Sequence, residues 1–271
     1  MSGMEMTNLT KMALAKMFAS NLRFDGRKLD EFRDLTIEDD VSNKAEGSAR
    51  VRLGKTEVVV GIKMAVGTPY ADSADKGNIS VSADLLPLAS PRFENGPPGF
   101  DAIELPRLVD RAIREAKIID LTKLVIKEGE KVWTVFIDVY PINDDGNLID
   151  AATIGALVAL KRATVPAIDK DGKVDYEEKT RKKLPLNEDI EPLSFSFFKI
   201  GNSIILDPTR EEQEAAETRV TFGVSKQGKS YFIHSCQKAG NAILTSQEIE
   251  SMMKILSDRY DLVMEKLKKF L

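Results

Sequence analysis

The sequence of 271 residues is poor in the side chains that bind transition metals, with one cysteine, Cys236, and one histidine, His234. A single cysteine excludes an internal disulfide bond, and the two residues cannot supply the ligands of a structural zinc site. A Ser-His-Asp or Cys-His mechanism would have to use His234. Residues 231–236 predict a strand on which His234 and Cys236 share a face. We interpret them as a structural histidine beside an inert buried thiol.

Long hydrophobic runs are also missing. No apolar stretch approaches the roughly 18 residues that a membrane span needs. Residues 9–22 are interrupted by lysines and repeat their apolar side chains at helical spacing, so they predict a short amphipathic helix and not a signal peptide. Without an export signal or a disulfide bond, we expect a cytoplasmic protein that has no membrane partner.

The chain carries little net charge of either sign. Lys and Arg number 39 against 43 Asp and Glu, a net charge of -4, and 42% of the residues are hydrophobic. That composition excludes disorder as the main state and supports a sizeable core. It also lacks the global basic field of a dedicated nucleic-acid-binding protein, so a site for a polyanion must be a local patch.

Strand and helix patterns succeed each other twice along the chain. The first half predicts strands over residues 48–53, 56–66, 78–83 and 132–140, and helices over 103–119 and 149–160. The second half predicts strands near 164–168 and over 195–206, a hairpin over 219–236, and a helix over 246–270 that opens with a capping box. This order predicts an α+β protein of two similar halves, with an N-terminal helix and a long C-terminal helix.

Two binding motifs are present in form but lack the right context. Gly223–Ser230 fits the P-loop pattern for nucleotide phosphates, yet a strand-forming run follows where a helix is required, so a hairpin is favoured. A P-loop nucleotide-binding protein is the least favoured function. Residues 169–172 with Glu178 resemble a calcium loop, but Ala167 occupies the first ligand position. A simple Asp-Gly turn is favoured there, and we expect no metal ion and no cofactor.

The helix predicted over residues 103–119 carries Arg107, Arg111 and Arg114 on one stripe, opposite its apolar face. At this spacing the three arginines fall within about 60° of arc. Three such guanidinium groups could grip successive phosphates. Alternatively, Asp110 pairs with Arg107 and Arg114 on an ordinary solvated helix.

Several separate segments resemble the RNase PH family, and within it the non-catalytic ring subunits of the archaeal exosome. They are Phe24–Arg27, Gly96–Pro98, Ala102–Leu105 continuing through Arg107–Arg111, Val132–Val135 and Ile204–Thr209. The resemblance runs from about residue 11 to the C-terminus. It implies an RNase PH-like fold of two βαβα-like halves, which we divide into residues 1–26, an N-terminal arm, 27–190, the first half, and 191–271, the second half.

The resemblance also implies where catalytic groups would lie. Active members hold phosphate with a Thr-Arg-Thr-like turn at the start of the buried helix, and Ile149 falls at this turn, followed by Asp150. Their pair of aspartates corresponds here to Gln213 and Arg219. We therefore expect no catalytic residues, while Arg107, Arg111 and Arg114 match arginine positions of active relatives and are expected to bind the RNA backbone.

The partners implied are a catalytic RNase PH-like subunit, RNA-binding cap subunits and single-stranded RNA, with no DNA. Three heterodimers would form a six-membered ring that degrades RNA from its 3′ end with phosphate. The alternative is that this chain is itself an active phosphorolytic exoribonuclease. Its reaction groups would then come from misplaced positions such as Glu211, Glu212 and Glu214.

Overall fold

The computed structural model describes residues 6–168, 174–176 and 180–271. The described helices are α1 (Asn8–Ala19), α2 (Phe100–Ala116), α3 (Leu148–Arg162), α4 (Arg210–Ala215) and α5 (Ser246–Leu267). The strands of the first half are β1 (Leu35–Asp39), β2 (Gly47–Leu53), β3 (Thr56–Gly67), β4 (Asn78–Ala83), β5 (Val125–Lys127) and β6 (Lys131–Asn143). After β7 (Ala167–Ile168) and β8 (Val174–Asp175) come β9 (Leu193–Ile200), β10 (Ser203–Leu206), β11 (Thr218–Gln227) and β12 (Ser230–Gly240).

The larger sheet has the order β1-β2-β3-β6-β4, with β5 paired to one end of β6. β4 runs parallel to β6 and the other pairs are antiparallel. On β3 alternate residues are buried, from Val58 through Val60 and Ile62 to Met64. This period of two is what a strand with one fully covered face requires.

The second sheet is antiparallel, in the order β10-β9-β11-β12, and its β9 has a different character on each face. Ser194 and Ser196 bond to side chains of α3. Phe195, between them, contacts Tyr260 of α5. Because side chains alternate along a strand, the small polar residues of β9 contact α3 and the aromatic ring of Phe195 contacts α5.

Helix α3 lies between the two sheets, and all its residues from Ile149 to Leu160 are buried. Gly155 makes this packing possible, because a Cβ there would lie 2.7 Å from the Val60 side chain of the larger sheet. α2 lies beside α3 and contacts β4 and β11. The molecule is thus a sheet, a helical layer and a second sheet, with α5 outside, which confirms the predicted α+β fold of two halves.

Some element boundaries differ from the prediction. Residues 195–206, predicted as one strand, form the hairpin of β9 and β10, because Gly201 turns the chain at a φ of 59°. α2 ends at Ala116, before the predicted Ile119, since Lys117 adopts the left-handed conformation. The calcium-like residues 169–172 and Glu178 lie outside the described residues.

The P-loop alternative is wrong. Gly223 and Ser230 both belong to strands, and the chain between them turns directly from β11 into β12. No helix follows Ser230, so the free amides that hold a nucleotide phosphate are missing. Lys226, inside the motif, instead bonds to Asp261 of α5.

The expectation for the strand around His234 is wrong in two respects. A register shift opposite Gly223 and Val224 interrupts the alternation, so that Cys236 pairs with Phe222 while His234 bonds to Ser225, on the other face of β11. Cys236 is exposed and not buried, because β12 is the edge strand of its sheet. Ser225 is fully buried, so the pair with His234 cannot offer a nucleophile to substrate. Burial lowers the pKa of His234.

Within the ranges that the structure describes, no helix combines the length and the apolar character needed to cross a membrane.

Candidate functional site

Ile149, Gln213 and Arg219 lie around one small cavity where the two halves meet. They come from the start of α3, from α4 and from β11. The cavity volume is about 50 Å³. The three positions that the family resemblance singled out are therefore neighbours in space.

Arg219 forms an ion pair with Glu104, which also lines this cavity. Its two terminal nitrogens lie 2.8 Å and 3.0 Å from the Glu104 oxygens, so the pair is bidentate. Both side chains are largely buried, where such hydrogen-bonded pairs are strong. Because Glu104 belongs to α2, the pair also fastens α2 to the second sheet, and Arg219 is not available as a cation for an anionic ligand.

The other two positions add no phosphate ligand. Ile149 is buried and apolar. The Gln213 side-chain oxygen accepts a hydrogen bond of 2.8 Å from the backbone N–H of Asn147, immediately before α3. An amide that could meet an anion at a helix start is thus already occupied. The cavity is built for packing and internal hydrogen bonds.

Asp150 lies fully buried in the first turn of α3, directly after Ile149 in the chain. Its carboxylate accepts hydrogen bonds from the backbone N–H and hydroxyl of Ser196 and from the side chain of Asn147. Burial nevertheless dominates and raises the pKa of Asp150 to about 7. An acidic group in the first turn of α3 offers no positive charge to a bound phosphate.

Asp207 holds the segment before α3 against the second half. Its carboxylate bonds to the backbone and guanidinium of Arg33, to Arg27 and to the Asn147 side chain. Gly146, with a φ of 87°, fits closely beneath, since a Cβ there would lie 2.6 Å from the Pro208 carbonyl oxygen. Sequence reasoning noted Asp207 only as part of a motif, and its partner Arg33 carried no local signal.

Two of the three carboxylates of α4 are engaged in structural contacts. Glu212 is buried, closes the capping box of α4 and bonds to Arg23. Glu214 bonds to Arg210 at 3.0 Å. Glu211 is exposed. The three residues do not form an acidic cluster that could replace the missing pair of aspartates.

The three arginines of α2 differ in how they are held. Arg114 bonds to Asp110, at distances down to 2.6 Å, and to the Ile79 carbonyl of β4. The hydrogen bonds to Asp110 raise the pKa of Arg114. Arg111 is exposed and contacts Glu115 at 3.3 Å, while Arg107 is exposed and has no ion pair among the described residues. Asp110 therefore pairs with Arg114 but not with Arg107. Arg107 and Arg111 are the cations that are more available to a ligand.

These features define a class: two-sheet α+β proteins with a small pocket between their halves and, beside it, a helix that carries a stripe of arginines. The chain belongs to the 3′ exoribonuclease family. Residues 31–166 match the model of domain 1 of this family and residues 191–255 match that of domain 2. The resemblance to RNase PH proteins is thereby confirmed. The boundaries after residues 26 and 190 stay predictions.

Individual relatives agree over nearly the whole chain. The chain is 45% identical to the exosome complex component Rrp42 of Methanocella arvoryzae over 245 residues, 90% of each chain. It is 40% identical to the Rrp42 component of Thermococcus kodakarensis over 99% of this chain and 98% of the relative. A solved structure, the Archaeoglobus fulgidus exosome with RNA bound to the active site, includes a chain with a TM-score of 0.86 and 40% identity, covering 96% of this chain and 98% of that one.

Proposed function

We propose that this chain is a non-catalytic ring subunit of an archaeal-type exosome, a phosphorolytic 3′→5′ exoribonuclease complex. One observation carries the proposal. In active family members the pocket between the two halves is expected to bind phosphate and to carry a pair of aspartates. Here it contains Ile149, Gln213 and Arg219, and the charge of Arg219 is neutralised by Glu104. The similarity to Rrp42 components over almost the full length supports the same assignment.

The chemistry is then supplied by a catalytic RNase PH-like partner in a heterodimer, and three heterodimers close the ring beneath RNA-binding cap subunits. The free edge of β12 supports assembly with a second protein. Among the described residues only β11 pairs with β12, and Phe232 and Ile233 are exposed on it. An exposed edge strand with unpaired backbone groups is a template for pairing with another chain.

The role proposed for α2 is to bind the RNA backbone beside the partner's active site. Arg107 and Arg111 are the main contacts, because their guanidinium groups reach solvent, and Arg114 contributes mainly by fixing α2 to β4. Contacts of this kind hold phosphates without reading bases.

The alternative, that the chain cleaves RNA by itself, is tested with the purified protein. Incubated alone with RNA and inorganic phosphate, it should release no nucleoside diphosphates. The reconstituted ring, with an active catalytic subunit, should release them under the same conditions. Release by the isolated chain would contradict the proposal.

The RNA-binding role is tested by Arg107→Glu with Arg111→Glu in the assembled ring. We expect both RNA affinity and RNA degradation to fall at least tenfold, because two phosphate contacts become repulsive. Lys123→Glu with Lys127→Glu is the matched control, since it makes the same change in net charge at exposed lysines outside α2. Unchanged RNA affinity at low salt, with the ring intact, would refute this role.

A further inference from the structure

The basic stripe of α2 includes two exposed apolar side chains. At about 100° per residue, Phe100, Ile103, Arg107, Arg111 and Arg114 fall within an arc of about 80°. Phe100 is 72% exposed and Ile103 is 51% exposed. The aromatic side chain of Phe100 therefore lies at the N-terminal end of the same helix face that presents the arginines.

Phe100 lies outside the hydrophobic core. Neither of the two core clusters includes it, and the apolar residues that anchor α2 lie on the opposite face, with Leu105, Val109 and Ile113 among them. The loop before α2 is itself open, since a Cβ added at Gly96 or Gly99 would meet no atom within 4 Å. The exposure of Phe100 is thus unexplained by folding.

The neighbours of Phe100 indicate which kind of partner it meets. This face presents exposed guanidinium groups one and two turns beyond Ile103, at Arg107 and Arg111. Aromatic and basic side chains combined on one surface are typical of single-stranded nucleic-acid sites, where bases stack on rings and cations follow the phosphates.

We propose that Phe100 is a stacking platform for an unpaired RNA base, with Ile103 packed against the edge of that base and Arg107 and Arg111 holding the adjoining phosphates. This inference rests on the proposed RNA-binding role of α2. It adds a contact that requires a base and that a duplex, whose bases are already stacked, cannot use. The surface therefore selects single-stranded RNA.

The test uses the assembled ring and two labelled oligonucleotides of equal length, an oligoadenylate RNA and its abasic analogue, which keeps the phosphates. Phe100→Ala should weaken oligoadenylate binding by about fivefold or more, the effect of losing one stacked base. Phe100→Trp should retain binding. The abasic strand should bind equally well to the wild-type ring and to the ring with Phe100→Ala. Ile243→Ala, which truncates another highly exposed apolar residue, is the control and should change neither affinity.

Each other outcome overturns the inference. An unchanged oligoadenylate affinity for Phe100→Ala would show that no base stacks there, and an equal loss on both strands would show a contact that does not involve a base. Failure of the ring to assemble would identify Phe100 as a protein contact. The proposed function is judged separately, because Arg107→Glu with Arg111→Glu must weaken both strands whether or not Phe100 stacks.

Discussion

Arg219 shows how a single changed residue can be reused. At the position where the family resemblance expects a catalytic aspartate, it forms the bidentate pair with Glu104 that ties α2 to β11. Restoring the family residue with Arg219→Asp would set two carboxylates against each other in a mostly buried place. We expect a loss of about 2–3 kcal/mol in the free energy of unfolding and no gain of phosphorolysis.

Urea unfolding measures this loss, and a charge swap provides the control. Arg219→Glu combined with Glu104→Arg keeps one cation and one anion at the site, so it should recover much of the stability that Arg219→Glu alone loses. If the double variant is as unstable as the sum of its parts, the two side chains are not coupled.

Asp150 makes stability depend on pH in an unusual direction. In the folded protein the pKa of Asp150 is about 7, whereas an unperturbed aspartate has a pKa of 3.8. Between these values the folded state binds more protons than the unfolded chain, so the free energy of unfolding falls as the pH rises. This group alone should cost about 2–3 kcal/mol between pH 5 and pH 8.

Asp150→Asn isolates the effect, because an amide cannot ionise. The Oδ1 of the variant can still accept from the Ser196 N–H and the Asn147 side chain, and its NH₂ can donate to the Ser196 hydroxyl oxygen, so the fold is retained. The stability of the variant relative to wild type should therefore improve steadily from pH 5 to pH 8, whatever its absolute value. If urea unfolding gives the same difference in free energy between the variant and wild type at pH 5 and at pH 8, the pKa of Asp150 is not raised.

At the scale of elements, the edge strand β12 offers a prediction about assembly. Ile233→Lys places a charge on the exposed edge without entering the core. It should leave the unfolding of the isolated chain within about 0.5 kcal/mol of wild type and prevent co-elution with the catalytic subunit in size-exclusion chromatography. Lys238→Glu, at an exposed lysine of the same strand, is the control. Normal co-elution of Ile233→Lys would remove this edge from the interface.

Elements with a strong hydrophobic period could be predicted from sequence, and elements defined by tertiary contacts could not. α3 reads as buried because its apolar residues surround the helix, and the start of α5 is visible in the capping box that Thr245 and Glu248 form. The register shift in the hairpin beside His234 has no local signal, because it is set by pairing with β11. The exposure of Cys236 follows from the position of β12 in the sheet order, which no short segment encodes.

The candidate site divides in the same way. The family resemblance identified Ile149, Gln213 and Arg219, and the cavity that brings them together agrees with it. Glu104 was read only as part of a motif, since its partner lies 115 residues away. The spacing of the arginines was visible, but their unequal engagement was not, because Arg114 is held by the Ile79 carbonyl of a separate strand.

For the whole molecule, a net charge of -4 means that attraction to RNA depends on the local stripe and not on an overall field. The salt dependence of binding separates the two sources. For a single strand, the slope of log K against log salt is about -0.7 per phosphate contact. Arg107→Ala with Arg111→Ala in the ring should therefore make the slope less negative by about 1.4. Lys123→Ala with Lys127→Ala changes the net charge equally but removes no proposed phosphate contact, so its slope should match wild type. If both double variants shift the slope alike, attraction is a property of total charge, and α2 has no special place in RNA binding.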